Sequence, residues 1–468
     1  MADLQGALSA GSSVLTASNA PAAFGKALQG FHDAALPADY GRSSAVVVQP
    51  AGIKDIQATV RFAVDHSLPV AVKGGGSSAR PDFQTQGGIT IDMSRMRTVT
   101  VDAAAAVMIA QGGAVYKDMA EATQPYDLAL PWGDSYGTGF GLALGGGIGY
   151  LSRAKGLTAD HIINATIVLA NGSVIVASGG CNPDLLAAVK GAGTVFGVVV
   201  EAAFKLQDVS GLFGGYVAAV DDNRGTVFRS AHQWAAKAMA DEPTLGVEIS
   251  AAVGTLGPGL PPHNQAVIYI LVALPKHATA NKTALLAPLR QLPYIIDDTL
   301  GQLDWYGLES VVYNISNTFP YSSRYFIGGL VSFKQADDDF MDLLFNMSTH
   351  LPPKAGCLYL SDYLGSSVSE NAVKNTTSFT PFAGDKDFHF FIMYAWAPGT
   401  HLQEYSDIQQ QNLAAFSSQL IAPQAYANLA TVTSGEYLQA QVGGARNLAS
   451  STVGITNDLV DATVGIAA

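Results

Sequence analysis

Three glycines between a lysine and two serines are the first residues whose types and spacing suggest a chemistry. Lys73 is followed by Gly74–Gly76 and then by Ser77 and Ser78, directly after the apolar run at residues 69–72. Successive backbone N–H groups without Cβ atoms can form a concavity that binds phosphate. The serine hydroxyls and the lysine would add donors and a positive charge. For this stretch taken alone, a plain glycine turn is the alternative.

Two more glycine-rich stretches follow along the chain. Residues 132–150 read WGDSYGTGFGLALGGGIGY, and such a backbone can lie flat against a rigid ligand. Leu142, Leu144 and Ile148 in this stretch favour packing over a mobile linker. Residues 182–206 predict a helix that ends at Gly191, followed by a turn and an apolar strand. Taken alone, this third stretch is weak evidence for a binding site.

Three titratable side chains interrupt apolar strand patterns further on. Glu248 lies in TLGVEISAAV, Asp362 in LYLSDYL and His389 in DFHFFIMYAW. A buried carboxyl group has a raised pKa and can act as an acid. Exposure to solvent is the alternative for the two carboxylates. For His389 the alternative is a structural position in the core, with its hydrogen bonds made within the protein. Alternation along its strand places His389 on one face with Phe391 and Met393.

The elements that must position these residues fall into two regions. Residues 45–210 mix short strands with helical patterns, including a hairpin around Asn171-Gly172, and predict an α+β domain with covered sheets. From about Asp208 the strands are longer. They predict one large antiparallel sheet with helices on one face and its other face covering the first domain. The predicted domains are residues 1–207 and 208–421, followed by a C-terminal segment at 422–468.

Composition limits the class of protein. The chain has 468 residues, of which 48% are hydrophobic and 13% charged, which is typical of a globular protein with two domains. The formal net charge of −13 disfavours nucleic acid and anionic membranes as partners. The two cysteines, Cys181 and Cys357, could form one bridge and exclude a cysteine-based zinc site.

Several other classes lack their motifs in the sequence. It contains no G-x-S-x-G elbow, no H-E-x-x-H and no P-loop, and we expect no metal site. No apolar run is long enough for a transmembrane helix. The N-terminus shows no signal peptide, yet N-x-[ST] sequons are present. Localisation is therefore open between the secretory pathway, with a removed signal, and the cytoplasm.

Taken together and in order, the glycine stretches resemble the vanillyl-alcohol-oxidase superfamily, whose members carry a PCMH-type FAD-binding domain. Within it, the chain is similar to the berberine-bridge-enzyme-like FAD-linked oxidoreductases. The resemblance covers most of residues 40–210. It implies a two-subdomain FAD-binding domain, a substrate domain, and a tail that returns to the FAD domain. The implied FAD contacts are Lys73, Gly74, Gly75, Gly76, Ser77, Ser78, Asp134, Ser135, Gly139, Gly141, Val199 and Asn428.

The departures from the family pattern concern how the flavin is attached. Ser77 stands where many members have a histidine bonded to the flavin, and Ser135 or Asp134 stands where they have a cysteine. A serine hydroxyl makes neither bond, so we expect non-covalent FAD.

Two further departures concern other parts of the family pattern. Lys73 replaces an arginine, which keeps the positive charge but loses the planar guanidinium group that can make two parallel hydrogen bonds. Of the motif that family members carry in their C-terminal tail, this chain has only Thr456-Asn457.

The resemblance also suggests a catalytic tyrosine in the tail. Tyr426 and Asn428 are similar to a family Tyr-x-Asn, so Tyr426 is a candidate base beside Glu248, His389 and Asp362. A tyrosine packed in the domain interface is the alternative.

Three functions remain open from the sequence. The first is an FAD-dependent oxidoreductase acting on a small, largely apolar specialised metabolite, as the apolar and aromatic strands of the second region favour. The second is a redox-neutral cyclase or isomerase on the same scaffold, because the covalent links that raise the oxidising power of the flavin in this family are missing. The third is a non-catalytic binding protein, which the degraded tail motif favours. The oligomeric state is unknown.

Overall fold

The computed structural model describes most of the chain up to residue 317 and several segments beyond it. The described residues are 2–29, 44–77, 85–133, 136–193, 195–222, 224–253, 266–317, 331–333, 341–342, 345–346, 355–362 and 388–396. At 331–333, 355–362 and 388–396 the description is of the backbone. The predicted residues Ser78, Asp134, Ser135, Tyr426 and Asn428 lie outside the described residues.

The first domain begins with a small mixed sheet of order β1-β2-β4-β3, in which β2 and β3 run parallel to β4. Ile56, Val60 and Ala63 form the buried stripe of the helix that packs with this sheet. All four residues of β4 are buried, because both faces of this strand are covered. The elements are α1 (Ala2–Ala7), β1 (Ser13–Leu15), α2 (Pro21–Leu28), β2 (Val46–Gln49), α3 (Ile53–Asp65), β3 (Val70–Lys73) and β4 (Ile89–Asp92).

An antiparallel sheet of order β5-β6-β10-β8-β9 completes the first domain. The predicted hairpin around Asn171-Gly172 joins β8 to β9, and Gly172 has the positive φ of 75° that its turn requires. The elements are β5 (Val99–Asp102), β6 (Val107–Gln111), α4 (Tyr116–Thr123), β7 (Leu128–Ala129), α5 (Phe140–Leu144), α6 (Ser152–Lys155), β8 (Ile162–Val168), β9 (Val174–Ser178), α7 (Pro183–Ala192) and β10 (Val198–Lys205). Within α7 the backbone leaves the helical conformation at Lys190 and Gly191.

A seven-stranded antiparallel sheet forms the second domain, in the order β15-β12-β14-β13-β17-β18-β16. A short strand, β11 (Gln207–Asp208), precedes it and pairs with β7. The remaining elements are β12 (Phe213–Val220), α8 (Thr226–Asp241), β13 (Gly246–Val253), β14 (Ala266–Leu274), α9 (Lys282–Leu286), β15 (Ile295–Asp298), α10 (Trp305–Asn317), β16 (Val331–Phe333), β17 (Ala355–Asp362) and β18 (Phe388–Trp396).

The two faces of this sheet pack against different partners. Val247 and Ile249 of β13 join a core that includes Phe228 and Trp234 of α8. Residues of the other face, such as Leu271, join the core of the first domain. The prediction of a large antiparallel sheet with helices on one face and the first domain on the other is therefore confirmed, as is the α+β class.

The structure describes the state of one cysteine and the helices that could be tested for membrane crossing. Cys181 is a free, exposed thiol. Across the portion of the chain that the structure covers, no helix combines the length and apolarity that crossing a membrane requires.

A buried histidine on α8 makes the stability of this domain depend on pH. His232 is 3% exposed and its ring lies 4.5 Å from that of Phe228. Burial lowers the pKa of His232 from 6.5 to about 3. As the pH falls from 6.5 towards 3, the unfolded chain therefore binds a proton that the folded protein does not. The folded state is fully favoured above pH 6.5 and is penalised progressively below it.

We expect His232→Gln to reduce this acid sensitivity. Between pH 7 and pH 4.5 the variant should lose about 2–3 kcal/mol less free energy of unfolding than the parent, since each proton bound differentially contributes about 1.4 kcal/mol per pH unit. Urea unfolding at the two pH values measures the difference. His277→Gln, at an exposed position, is the matched control. Equal losses in all three proteins would contradict the assignment.

Candidate functional site

The first glycine loop follows β3 and presents main-chain amides that donate no hydrogen bond to any described residue. Among the described residues, no atom accepts a hydrogen bond from the amides of Gly74, Gly75, Gly76 or Ser77. Gly76 has a φ of 73°, which lies in the left-handed region that favours glycine. A run of unused amides at the end of a strand is a ready anion site.

Backbone-to-backbone packing against the second glycine stretch fixes this loop. A Cβ atom at Gly75 would lie 2.8 Å from the amide nitrogen of Gly139 and 2.9 Å from the carbonyl oxygen of Gly137. The Ser77 hydroxyl donates a hydrogen bond to the same Gly137 carbonyl at 3.2 Å. Gly75 and Gly139 therefore lack side chains because each lies against the backbone of the other.

The Lys73 side chain lies against Gly76 of the loop and makes hydrogen bonds to backbone carbonyls of another segment. Its Nζ donates hydrogen bonds of 2.7 Å to the carbonyl oxygens of Ala27 and Gln29, at the C-terminal end of α2. Burial lowers the pKa of Lys73, while the charge of Asp92 acts in the opposite direction. The ammonium therefore satisfies helix carbonyls. A contact of Lys73 with a cofactor stays a prediction.

The second glycine stretch is mostly shaped by packing within the protein, with one exception. Cβ atoms at Gly147 and Gly149 would lie too close to Thr158 and to the Trp132 carbonyl, respectively. A Cβ atom at Gly141, in α5, would meet no described atom within 4 Å. Among the glycines of this stretch whose surroundings the structure describes, Gly141 is the one with open space beside it.

The backbone of Val199 lies close to Gly112, which in turn lies close to the first glycine loop. It is 6% exposed in β10, and a Cβ atom at Gly112 would lie 2.3 Å from its carbonyl oxygen. The carbonyl of Gly112 in turn lies 3.2 Å from the Cβ position of Gly74. The first loop, Gly112 and β10 thus form one contiguous wall. The unused amides and the space at Gly141 together fit a flat ligand that carries phosphate groups.

The sheet of the second domain aligns the three titratable residues found in its apolar strands. Glu248 of β13 is the register partner of Asp362 of β17, and Asp362 is the partner of His389 of β18. Directly paired residues of neighbouring strands share a face. We call Glu248, Asp362 and His389 the polar row. No pattern in the sequence indicated that these three positions pair across neighbouring strands.

The polar row lies on the sheet face that covers the first domain. Gly246, two residues before Glu248 and on the same face, packs so closely that its Cβ atom would lie 2.0 Å from the Tyr150 carbonyl oxygen. Tyr150 ends the second glycine stretch. Glu248 is fully buried, and the Ser250 hydroxyl donates a 2.6 Å hydrogen bond to its Oε1. The acid is therefore close to the glycine loops and fixed in orientation.

Sequence reasoning missed a second buried acid in the domain interface. Glu309 of α10 is fully buried near Tyr136, the residue after Ser135. The Tyr136 hydroxyl donates a 2.6 Å hydrogen bond to the carbonyl oxygen of Tyr306. Burial and then the Glu309 charge raise the pKa of Tyr136, which keeps it protonated. The signal was present: Glu309 falls four residues after Trp305, on the buried stripe of α10.

Within the described ranges, no group of three or more histidine, cysteine, aspartate or glutamate residues could hold a metal ion.

Comparison with known proteins identifies the first domain. Residues 44–178 match the family model described as an FAD binding domain. The FAD-linked oxidoreductase pgmH of Aspergillus terreus is 39% identical over 173 residues, which are 37% of this chain and 35% of the fungal protein. The matched part thus spans about a third of that relative's length.

Solved structures share the fold of the whole chain. The glucooligosaccharide oxidase from Acremonium strictum superposes with a TM-score of 0.76 at 20% identity, covering 98% of this chain and 97% of that one. The 6-hydroxy-D-nicotine oxidase from Arthrobacter nicotinovorans gives 0.74 at 19% identity, with 95% and 96% covered. Residues 44–178 thus match an FAD binding domain, and the chain as a whole shares the fold of these two oxidases.

Proposed function

We propose that the protein is an FAD-dependent oxidoreductase that binds FAD non-covalently and acts on a small, largely apolar metabolite. The observation that carries this proposal is the set of unused amides at Gly74–Ser77, next to the open position at Gly141. Amides of this kind would bind the diphosphate of FAD. Bound FAD would supply hydride acceptance, the step that protein side chains cannot perform.

The side chain of Ser77 supports non-covalent attachment. It occupies the place of the flavin-bonded histidine in the family pattern, and its hydroxyl donates to the Gly137 carbonyl. The Acremonium strictum oxidase is described as carrying a 6-S-cysteinyl, 8α-N1-histidyl FAD. In this chain serine offers no equivalent nucleophile, so non-covalent contacts alone would hold the cofactor.

The sheet face opposite the glycine loops supports an apolar substrate. In register beside Ser250 lie Leu360 and Phe391, and beside Ala252 lie Leu358 and Met393. All of these positions share a face with Glu248. A pocket bounded by such positions would bind a hydrophobic molecule and present few polar groups to it. Glu248 would accept the substrate proton, since it is buried and oriented by Ser250.

A second function is favoured by the same buried acid. A carboxyl group removed from water is readily kept protonated, and it could then protonate an alkene in a redox-neutral isomerisation or cyclisation. One measurement, the flavin absorbance under anaerobic conditions, distinguishes the two functions. Only oxidation bleaches the flavin absorbance when a substrate is added without oxygen.

We expect the purified protein to be yellow and its flavin to be released by acid. Non-covalent FAD should appear in the supernatant after acid precipitation, where its absorbance and fluorescence identify it. Flavin that stays in the protein pellet would contradict non-covalent attachment. A colourless protein that does not take up added FAD would contradict the proposed function itself.

We also expect Gly141→Ala to weaken FAD binding without harming the fold. The added methyl group meets no described atom and replaces glycine in a helix, so thermal stability should be unchanged or higher. The dissociation constant for FAD should rise roughly tenfold or more, about 1.4 kcal/mol. Fluorescence titration with FAD measures this change.

Two matched variants complete that experiment. Gly6→Ala, at an exposed and open helical position in α1, should leave both FAD affinity and stability near the parent values. Gly75→Ala should instead lower the stability of the apoprotein, because its Cβ atom meets backbone atoms of the second loop. Unchanged FAD affinity in Gly141→Ala would show that the cofactor does not lie there.

A further inference from the structure

We propose that the indole N–H of Trp305 donates a hydrogen bond to an oxygen atom of the substrate, so that the site selects apolar molecules that carry a carbonyl or hydroxyl group. The inference rests on the proposed function for the presence of a small-molecule site, and it deepens that function by naming the substrate class. Its basis is a difference among the buried tryptophans that the structure describes with their side chains.

Trp234 shows how a buried indole is accommodated where the role of the residue is structural. It lies on α8, in the core between the helices and the second sheet, and is 8% exposed. Its Nε1 donates a 2.9 Å hydrogen bond to the carbonyl oxygen of Leu285. Buried indole N–H groups usually have such an acceptor, because a donor removed from water without a partner destabilises the folded state.

Trp305 and Trp132 differ from Trp234 in this respect, and both lie where the two domains meet. Trp305 is 5% exposed and Trp132 is fully buried, and both belong to the core that the first domain shares with the second sheet. In the part of the chain that the structure describes, neither Nε1 atom has an acceptor. A bound molecule would supply one, so a donor of this kind is a means of recognising a ligand.

The chain on both sides of Trp305 is fixed, which gives the donor a defined position. Leu303 forms an isolated β-bridge with Gly214 at the start of β12. The carbonyl oxygen of Tyr306 accepts the 2.6 Å hydrogen bond from the Tyr136 hydroxyl of the second glycine stretch. The start of α10 is therefore attached to both domains. A donor held in this way loses little conformational freedom when it binds a ligand, which favours binding.

Tyr150 connects the surroundings of Trp305 to those of Glu248. Its ring lies edge-on to the Trp305 ring, with the centroids 6.3 Å apart. Its carbonyl oxygen packs against Gly246, which shares a sheet face with Glu248. Leu271, the register partner of Glu248, belongs to the same core as Trp305. A substrate that approaches the buried acid therefore enters the neighbourhood of the indole donor.

The chemistry of the indole group determines which molecules this donor would select. An indole N–H donates and does not accept, so it pairs with a ketone, ether or hydroxyl oxygen. A hydrocarbon of the same shape would leave the buried donor without a partner in the complex, and such a mismatch discriminates more strongly than a missing methylene group. The ring carbonyl oxygens of FAD offer the same chemistry, and FAD is therefore a separate arm of the test below.

NMR of the full-length protein, labelled with nitrogen-15 in its tryptophans, tests this role directly. The chain has four tryptophans and gives four indole N–H signals. Acetophenone added to the FAD-loaded protein should move the Trp305 indole proton downfield, because hydrogen bonding deshields it. Ethylbenzene, which has a similar shape and lacks the oxygen, should not produce this downfield movement. The Trp234 signal is the internal control and should stay in place with both compounds.

Trp305→Phe gives the matching measurement of affinity. The variant should bind acetophenone about fivefold more weakly than the parent, the effect of one hydrogen bond, and should bind ethylbenzene equally well. Equal acetophenone affinities in the two proteins would contradict the proposal. So would a Trp305 signal that moves when FAD is added to the apoprotein but not when acetophenone follows, since the acceptor would then belong to the flavin.

Failure of this inference can be told apart from failure of the proposed function. Flavin absorbance of the same samples reports FAD uptake, and acetophenone can also be added to protein without FAD. A Trp305 signal that moves with neither compound would overturn the inference whether or not FAD binds. Trp132→Phe, Trp234→Phe and Trp396→Phe assign the Trp305 signal by elimination, so the NMR test stands even if Trp305→Phe does not fold.

Discussion

The packing of two glycine loops, backbone against backbone, is the contact on which the rest of the site depends. Gly75 lies so close to Gly137 and Gly139 that neither loop could carry a side chain there. The contact fixes the end of β3 against the start of α5, and it leaves the amides of the first loop facing outward. A phosphate site made of main-chain groups is only as well ordered as the loops that carry it, and here each loop immobilises the other.

The second domain applies a different constraint to the same space. Its sheet is covered by helices on one face, and Glu248 lies on the other face, between two cores. Glu248 is fully buried on the middle strand, and Ser250 fixes its orientation. Burial makes the protonation state of this acid sensitive to its neighbours, because the low-dielectric surroundings strengthen every charge interaction. The register of the sheet therefore matters for the chemistry as much as the identity of the residues.

Local signals in the sequence were sufficient to predict individual elements. The Asn171-Gly172 turn, the helix and strand within residues 182–206, and the apolar strand β13 all form where the pattern indicates. Turn chemistry and hydrophobic periodicity act over a few residues, so a single sequence displays them directly.

Contacts between distant residues were not predictable from those signals. The sequence presents Gly75 and Gly141 alike, yet one packs against protein backbone and the other leaves open space. The sequence also did not indicate that the Lys73 ammonium binds the carbonyls of Ala27 and Gln29, and its contact with a ligand stays a prediction. The alignment of Glu248 with Asp362 spans more than a hundred residues of sequence, and register over such a separation depends on the assembled sheet.

The short pairing of β11 with β7 has a mechanical consequence. The chain passes from one domain to the other at Gln207–Asp208, and these residues form a ladder with Leu128–Ala129, reinforced by the Val209 amide donating to the Asp127 carbonyl. A connection bonded in this way resists bending, since a wide swing of the two halves would break main-chain hydrogen bonds. Entry of small molecules to the space between them is therefore expected to depend on local movements of loops and side chains, not on the opening of a hinge.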